Sequence, residues 1–480
     1  MPNLADLFPG APADPVANIT ADSRKAGPGV AFVAVPGTKS DGHANALDAA
    51  RQGASAVVGE GERPADLPAD TPYIRVADAR RALALAAARL HPGQPATVVA
   101  VTGTSGKSSV ADFARQLFAA LGHDSASLGT VGVVTSRGAQ YGSLTTPDPV
   151  SLHETLERLA GDGVTHLAME ASSHGIEQRR LDGVRLAAAA FTNLGRDHLD
   201  YHATVEAYFD AKLRLFEELL EPGRPAVVNV DDEHGARLAA RAEARGLQVF
   251  TTGRSARHLR LLGAERSGFD QHLRLRLLGR EHSVKLPLAG AFQAENALVA
   301  AGLVLATTPQ AEAARILSGL GSLRGVPGRM ERVGEANGAL CIVDYAHKPE
   351  ALEHVLAALR PFATGRLVCV FGCGGDRDRG KRSVMGAIAA AGADAVIVTD
   401  ENPRSEEPAA IRAAILAAAP GAREIGDRAE AIRAAIRELA PGDVLVVAGK
   451  GHETGQIVGD KTLPFSDHDA VRAAIAEFFP

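Results

Sequence analysis

Residues 103–109, GTSGKSS, combine groups suited to holding phosphate. Gly103 and Gly106 allow a tight backbone turn, so that successive N–H groups converge on one point. Lys107 adds a positive charge there, and Ser108 offers a hydroxyl to Mg²⁺. A helix opening directly behind the loop would aim the positive end of its dipole at the same place. The full phosphate-loop pattern has a glycine where this chain has Val101, so the loop is a shortened variant. Loops of this kind serve motors, switches, phosphoryl donors and bond-forming enzymes alike. Other residues must choose among them.

Two further groupings follow apolar runs. MEASSHGIEQRRL (169–181) offers Glu170 as a metal ligand or base, Ser172 and Gln178 as hydrogen-bonding groups, and Arg180 as a carboxylate clamp. FTNLGRDHLDYH (191–202) gathers Asn193, Arg196, Asp197, His198, Asp200 and His202 in one segment, a density that points to a site. Lys212, in YFDAKLRLF, reads locally as a surface lysine snorkelling among aromatics. For Asn296 a position on a helix surface is one alternative.

The elements that must position these groups are legible as periodicities. TVVAV (97–101) reads as a strand leading into the loop. Behind it, Val110, Phe113, Ala114, Leu117, Phe118 and Leu121 form one helical face, and Gly122 stands at the expected C-terminal end. Strands are expected at 165–169, 187–191 and 226–230, and their alternation with helices indicates a parallel sheet covered on both faces. A second series, LCIVDY, RLVCVF, DAVIVT and DVLVVAG, predicts a separate α/β domain. It includes a helix faced by Ala351, Leu352, Val355, Leu356 and Leu359. RGVPGRME (324–331) is the expected hinge. The predicted domains are 1–92, 93–329 and 330–480.

Bulk composition narrows the class. The chain has 480 residues, 46% apolar and 22% charged, with a formal net charge of −6. That balance predicts a globular protein without a nucleic-acid partner. MPNLADLFPG lacks the pattern of a signal peptide, and no apolar run approaches the roughly 20 residues of a membrane span. A cytoplasmic protein without a membrane partner is expected. Cys341, Cys369 and Cys373 form no C-x-x-C pair and read as reduced thiols.

The order of short motifs adds up to a family. DSR (22–24), GTSGKSS, TTPD (145–148), MEASSHG (169–175), FTNLGRDHLDYH, GRME (328–331), VDYAHKP (343–349), GCGGDRDRGKR (372–382), DENPR (400–404) and GKGHE (449–453) together resemble the Mur ligases of peptidoglycan synthesis. Within them the chain looks most like the branch that adds the third peptide residue. The resemblance implies a three-domain α/β architecture. Its parts are a UDP-sugar domain, a central P-loop-type domain on a parallel or mixed sheet, and a Rossmann-like C-terminal domain.

The activity implied is ATP- and Mg²⁺-dependent amide formation on UDP-N-acetylmuramoyl-L-alanyl-D-glutamate. ATP phosphorylates the free carboxylate of the D-glutamate residue, and an amino-acid amine displaces phosphate from the acyl phosphate. An ionised carboxylate is a poor electrophile, phosphate is a good leaving group, and two approaching anions require positive charge between them. A monomer is expected, and domain closure is expected because nucleotide and amino-acid motifs lie in different domains.

The resemblance also assigns residues. Ser23 and Thr38 fall to the UDP moiety, and Thr145, Thr146, Ser172, Gln178 and Arg180 to the muramoyl dipeptide. Gly103, Thr104, Ser105, Gly106, Lys107, Ser108 and Ser109 fall to the ATP phosphates. Asn296, Arg329 and Asp344 match adenine, phosphate and ribose contacts. Ser108, Glu170 and His198 fall at Mg²⁺, and Lys212 matches a lysine carried as an N-carboxylated, anionic ligand. That reverses its local reading.

Arg377, Glu401, Asn402, Pro403, Arg404, Gly449 and Glu453 match the grip on meso-diaminopimelate, with Arg404 facing a distal carboxylate that L-lysine lacks. Glu401 stands where the signature usually has Asp. L-Lysine as the third residue is the alternative within this reading. Ligases adding D-glutamate, folylpolyglutamate synthetases and a non-catalytic nucleotide switch are the rivals outside it. DENPR with GKGHE argues against the other ligases, and the polar cluster at 191–202 against a switch.

Overall fold

The computed structural model describes residues 2–37, 42–140, 142, 144–195, 197–198 and 201–479. They divide into two compact units. One comprises Met1–Leu262, Arg274–His282 and Glu295–Leu320, and the other Gly263–Leu273, Ser283–Ala294 and Gly321–Pro480.

The first unit begins with four parallel strands in sequence order, Asn18–Thr20, Val30–Val33, Ala56–Gly59 and Tyr73–Arg75. Alternation along the strands sends Val33 and Val58 to one apolar cluster and Phe32 and Val57 to another. The helix Ala79–Leu90, capped by Asp78, packs against the helix Pro149–Gly161. These two helices join the N-terminal sheet to the next layer.

That layer is a mixed sheet. Eight consecutive strands run in the order Gln248–Gly253, Pro225–Asn229, Ala188–Phe191, Thr97–Thr102, His166–Glu170, Ser125–Gly129, Gly132–Thr135 and Gly138–Gln140. The first six are parallel and the last two return antiparallel. Thr97–Thr102 lies between His166–Glu170 and Ala188–Phe191, where chain connections leave toward opposite sides. Carboxyl ends of strands at such a reversal border a crevice that ligands can enter. The expected strands all form, shifted by at most one residue. Behind the central strand the helix Lys107–Ala120 buries Val110, Phe113, Ala114, Leu117 and Phe118, and Gly122 follows with φ of 94°.

The second unit contains a six-stranded sheet in the order Glu331–Ala336, Ala339–Asp344, Val444–Ala448, Leu367–Phe371, Ala395–Val398 and Arg423–Glu424. Only the first pair is antiparallel. Leu367, Cys369 and Phe371 face one core, and Val368 and Val370 the other. All three cysteines are buried and free, as expected of reduced thiols. Among the described residues, no helix is long and apolar enough to cross a membrane.

An ion pair is built into this second core. Arg428 Nε and Nη2 donate to Asp467 Oδ1 and Oδ2 at 2.7 and 2.8 Å, with neither side chain exposed. Nη2 also reaches Ala448 O at 3.0 Å, the end of a central strand. Removing one partner of a buried pair leaves the other charge without compensation, typically at about 3–5 kcal/mol. Asp467→Asn is therefore expected to lower the stability of the second unit by that order, measured by denaturant unfolding of the full chain. An unchanged midpoint would contradict this account.

Candidate active site

The phosphate loop is tied to the exit of the neighbouring strand. Thr104 N donates to Asn193 O at 2.9 Å, Ser105 N to Asn193 Oδ1 at 3.0 Å, and Thr192 Oγ1 to Ser105 O at 2.7 Å. Gly103 and Gly106 adopt φ of 143° and 86°. A Cβ on Gly103 would stand 1.9 Å from Thr192 Oγ1, and one on Gly106 2.1 Å from Asn296 Oδ1. Asn296 is thus packed against the loop, 5% exposed, which removes the helix-surface alternative. Gly106 is also the N-cap of Lys107–Ala120, so that helix's first N–H groups border the loop. Lys107 Nζ donates to Gly103 O and Thr104 O at 3.0 and 2.9 Å, and Ser109 is buried behind it.

Glu170, at the end of its strand and 2% exposed, meets the loop directly. Its Oε1 accepts from Ser108 Oγ at 2.8 Å and from Thr130 N at 2.7 Å, and its Oε2 from Thr130 Oγ1 at 3.3 Å. These donors are neutral, and among the described residues no cationic side chain pairs with Glu170. A buried carboxylate and a hydroxyl, both hard oxygen donors, fit a divalent cation such as Mg²⁺. Among the described residues no cluster of three His, Cys, Asp or Glu suited to a metal occurs.

The TTPD and SSHG segments join here. Thr145 Oγ1 lies 3.0 Å from Thr130 Oγ1. Thr146 Oγ1 donates to Glu170 O at 3.0 Å and lies 3.1 Å from Ser172 Oγ, which caps the helix Ser173–Glu177. Arg180 donates to Thr146 O and Gln178 Oε1, both at 2.7 Å, and Gln178 Nε2 donates to Tyr201 OH at 3.1 Å. His198 has φ of 53°, lies 3.5 Å from the Asp197 carboxylate, and meets the His174 ring edge-on at 4.8 Å. Arg196 and Asp200 of the same cluster lie outside the described residues, as does Thr38. Ser23 opens a short 3₁₀ turn, Ser23–Lys25, beside the N-terminal sheet.

The local reading of Lys212 as a surface residue is overturned. The helix Val205–Arg214 turns Tyr208, Phe209, Lys212 and Leu213 inward on one face, leaving Lys212 1% exposed. Its Nζ donates to Gly103 O at 2.8 Å and lies 4.2 Å from the centroid of the Tyr208 ring. Burial, seconded by the nearby Lys107 charge, holds its pKa well below the usual lysine value, while Asp197 acts in the opposite sense. The Tyr208 phenol, pushed up to about 12 by burial, lies 3.3 Å from Thr104 Oγ1. Sequence reasoning missed Tyr208, Thr130 and Thr192. The i, i+4 spacing of Tyr208 and Lys212 was the one available signal, and for the two threonines there was none.

The second unit carries the remaining predicted residues. Asp344 accepts from Met330 N and Ala346 N, each at 2.7 Å, and burial raises its pKa. Arg329 lies over the Tyr345 ring, 4.7 Å from its centroid. Arg377 is exposed, whereas Glu401, Asn402, Pro403 and Gly449 are buried. Asn402 Nδ2 donates to Glu453 Oε2 at 2.9 Å. Arg404, with φ of 52°, donates from Nη1 to Gly375 O at 2.8 Å.

The loop geometry makes a direct test. In Gly103→Ala the methyl meets Thr192 Oγ1 at once, and a φ of 143° strains any residue with a Cβ. ATP affinity, measured by calorimetry, is expected to weaken by at least about tenfold, or about 1.4 kcal/mol. Adding Thr192→Ala is expected to restore only part, because Asn193 O would still stand 3.1 Å from the new methyl. Wild-type affinity in Gly103→Ala would contradict this reading of the loop.

Three family models match successive stretches of the chain: the Mur ligase family catalytic domain at 15–91, the Mur ligase middle domain at 101–304, and the Mur ligase glutamate ligase domain at 328–451. The chain is 57% identical over 479 residues to the UDP-N-acetylmuramoyl-L-alanyl-D-glutamate–2,6-diaminopimelate ligase of Bradyrhizobium diazoefficiens, covering 99% of this chain and 98% of that one. The enzyme of the same name from Zymomonas mobilis is 44% identical over 466 residues, covering 96% and 95%. A solved structure of such a ligase superposes with a TM-score of 0.70 at 33% identity, covering 99% of both chains. MurF from Acinetobacter baumannii, at 21% identity, 96% and 93% coverage and a TM-score of 0.59, shares the fold. The chain belongs to the Mur ligase family.

Proposed function

We propose that this chain is an ATP-dependent, ADP-forming amide ligase of peptidoglycan precursor synthesis, acting in the cytoplasm. It adds meso-2,6-diaminopimelate to the D-glutamate of UDP-N-acetylmuramoyl-L-alanyl-D-glutamate. The observation that carries the reading is the contact of Ser108 with buried Glu170 beside a glycine-built phosphate loop, in a chain 57% identical to a ligase of that name. The domain division 1–92, 93–329 and 330–480 accompanies it, supported by the family-model matches.

Each residue's task follows from its surroundings. The loop backbone from Gly103 to Ser109 and the Lys107 ammonium bind the ATP phosphates. Asn296, packed on Gly106, orients the base side of the nucleotide, and Arg329 and Asp344 bind phosphate and ribose. Thr145, Thr146, Ser172, Gln178 and Arg180 hold the dipeptide, and Ser23 with Thr38 the UDP group. Ser108, Glu170, His198 and a carboxylated Lys212 would hold Mg²⁺, which supplies positive charge where two anions must meet. The phosphorylated D-glutamate carboxyl is then attacked by the amino-acid amine, and phosphate leaves as the amide forms. Arg404 and Asn402 take the carboxylate ends of diaminopimelate, and Glu401 and Glu453 its ammonium groups.

Lys212 is suited to carboxylation because burial favours its neutral amine, the form that attacks carbon dioxide. The N–C bond forms as one proton is released. Lys212→Arg keeps a cation that cannot form a carbamate. Its turnover is expected to fall at least about 10–100-fold, the range seen when groups supporting a metal are lost. Labelled bicarbonate should mark wild-type Lys212 and not the variant, and full activity in Lys212→Arg would end this assignment.

The reaction itself is tested by phosphate release and product mass with ATP, Mg²⁺ and the UDP-dipeptide. Meso-diaminopimelate should give the tripeptide, with L-lysine disfavoured on the order of 10⁴-fold because it leaves Arg404 without its partner. Turnover with L-lysine alone would keep the ligase and refute the diaminopimelate assignment. No product with either would refute the proposed reaction.

A further inference from the structure

GKGHE places Lys450 between two glycines just past the strand Val444–Ala448, a setting that suggests a solvated loop cation. The side chain is instead fully buried, at 0% exposure. Its Nζ donates to Asn402 Oδ1 at 3.0 Å, Glu453 Oε2 at 2.9 Å and Gly455 O at 2.7 Å. An ammonium has three protons, and here three acceptors take them. Lys450 has no donor left to offer a ligand.

The partners are more informative than the lysine. Asn402 Oδ1 accepts from Lys450 Nζ and also from Ile457 N at 2.9 Å, which uses both its lone pairs. That identifies the oxygen and fixes the amide plane. One Nδ2 hydrogen then goes to Glu453 Oε2, which Lys450 also engages. The second Nδ2 hydrogen and Glu453 Oε1 lie outside this network, and the Glu453 side chain is 32% exposed. Burial would raise the Glu453 carboxyl, but the Lys450 charge and the hydrogen bonds outweigh it, keeping the group below its usual value and ionised at neutral pH.

A separate observation points to a ligand at the same place. Glu401 is 7% exposed, and its Oε2 is buried without a hydrogen-bond partner among the described residues. A Cβ on Gly449 would stand 3.2 Å from that oxygen, so the bare backbone there leaves the carboxylate its space. A buried carboxylate oxygen without a donor is costly unless a bound group supplies one. Lys450 is pinned too firmly to do so.

We propose that Lys450 is a positioning residue of the amino-acid subsite. Its saturated ammonium locks the Asn402 amide and aims Glu453 Oε1 at the ammonium end of the incoming amino acid, without touching that substrate. This rests on the ligase reading above. Loss of Lys450 frees Asn402 to flip and Glu453 to turn away, so amino-acid binding suffers while the phosphate loop does not.

Lys450→Met keeps the length of the stem and removes all three donors. In the full chain, with steady-state kinetics, the KM for meso-diaminopimelate is expected to rise about tenfold or more, the scale of losing one oriented polar contact. The KM values for ATP and the UDP-dipeptide should stay within about twofold, and kcat at saturating amino acid within about threefold, on the same scale. Should Lys450→Met fail to melt cooperatively, Lys450→Gln, which retains N–H donors, carries the test with the same selective rise in KM at smaller amplitude. An unchanged KM for diaminopimelate in a folded variant would overturn the proposal. So would an equal rise in all three KM values, which marks a general structural role. Wild type that makes no product with diaminopimelate would instead remove the reading on which the proposal stands.

Discussion

One carbonyl oxygen organises the central site. Gly103 O accepts from Lys107 Nζ at 3.0 Å and from Lys212 Nζ at 2.8 Å, so two lysines converge on a single acceptor. Burial acts most strongly on Lys212, and repulsion from the neighbouring Lys107 charge adds to it. Its proton affinity falls, yet a neutral amine still donates one N–H to the carbonyl. The arrangement therefore survives loss of the charge. Lys107 is less buried and stands at a helix N-terminus. One backbone atom thus holds two chemically similar side chains that differ in burial.

The geometry that brings them together is costly in side-chain volume. Gly103 and Gly106 are needed because Thr192 and Asn296 already fill the space that a Cβ would take. Gly129 is bare for the same reason, since a Cβ there would stand 2.1 Å from Glu170 Oε1. The loop, the metal-type carboxylate and the strand exits are packed as one body. Phosphate binding and carboxylate placement then cannot be altered independently.

How much of this could be read from sequence follows from what sets each feature. The strand at 97–102 and the helix behind it depend on local periodicity, so their positions were legible to within a residue. Lys212 was misread because its neighbours in sequence cannot report that Gly103, far away in the chain, accepts from its buried ammonium. Asn296 left a surface alternative open for the same reason, as its burial comes from a glycine far away in the chain. Lys450 sat inside a quoted motif, yet a lysine between glycines has no local signature of burial. Family resemblance singled out both Lys212 and Asn296, because motif order carries tertiary information that spacing lacks. It assigned no task to Lys450.

The two buried lysines also show why the DENPR loop tolerates its glutamate. Lys212 has one carbonyl and an aromatic face, whereas Lys450 has three oxygen acceptors including a carboxylate. The second unit therefore gathers negative charge around a fixed cation, and Glu401 adds to it. A side chain one methylene longer than aspartate needs room, and Gly449 and Gly374 supply it, with their missing Cβ positions 3.2 and 3.5 Å from the carboxylate oxygens. Burial raises the Glu401 pKa, only partly opposed by Lys381. A buried carboxylate oxygen without a donor gains more from an arriving ammonium than a solvated one would. The extra length thus leaves a carboxylate oxygen without a donor, which under the ligase reading favours a substrate with two amino groups.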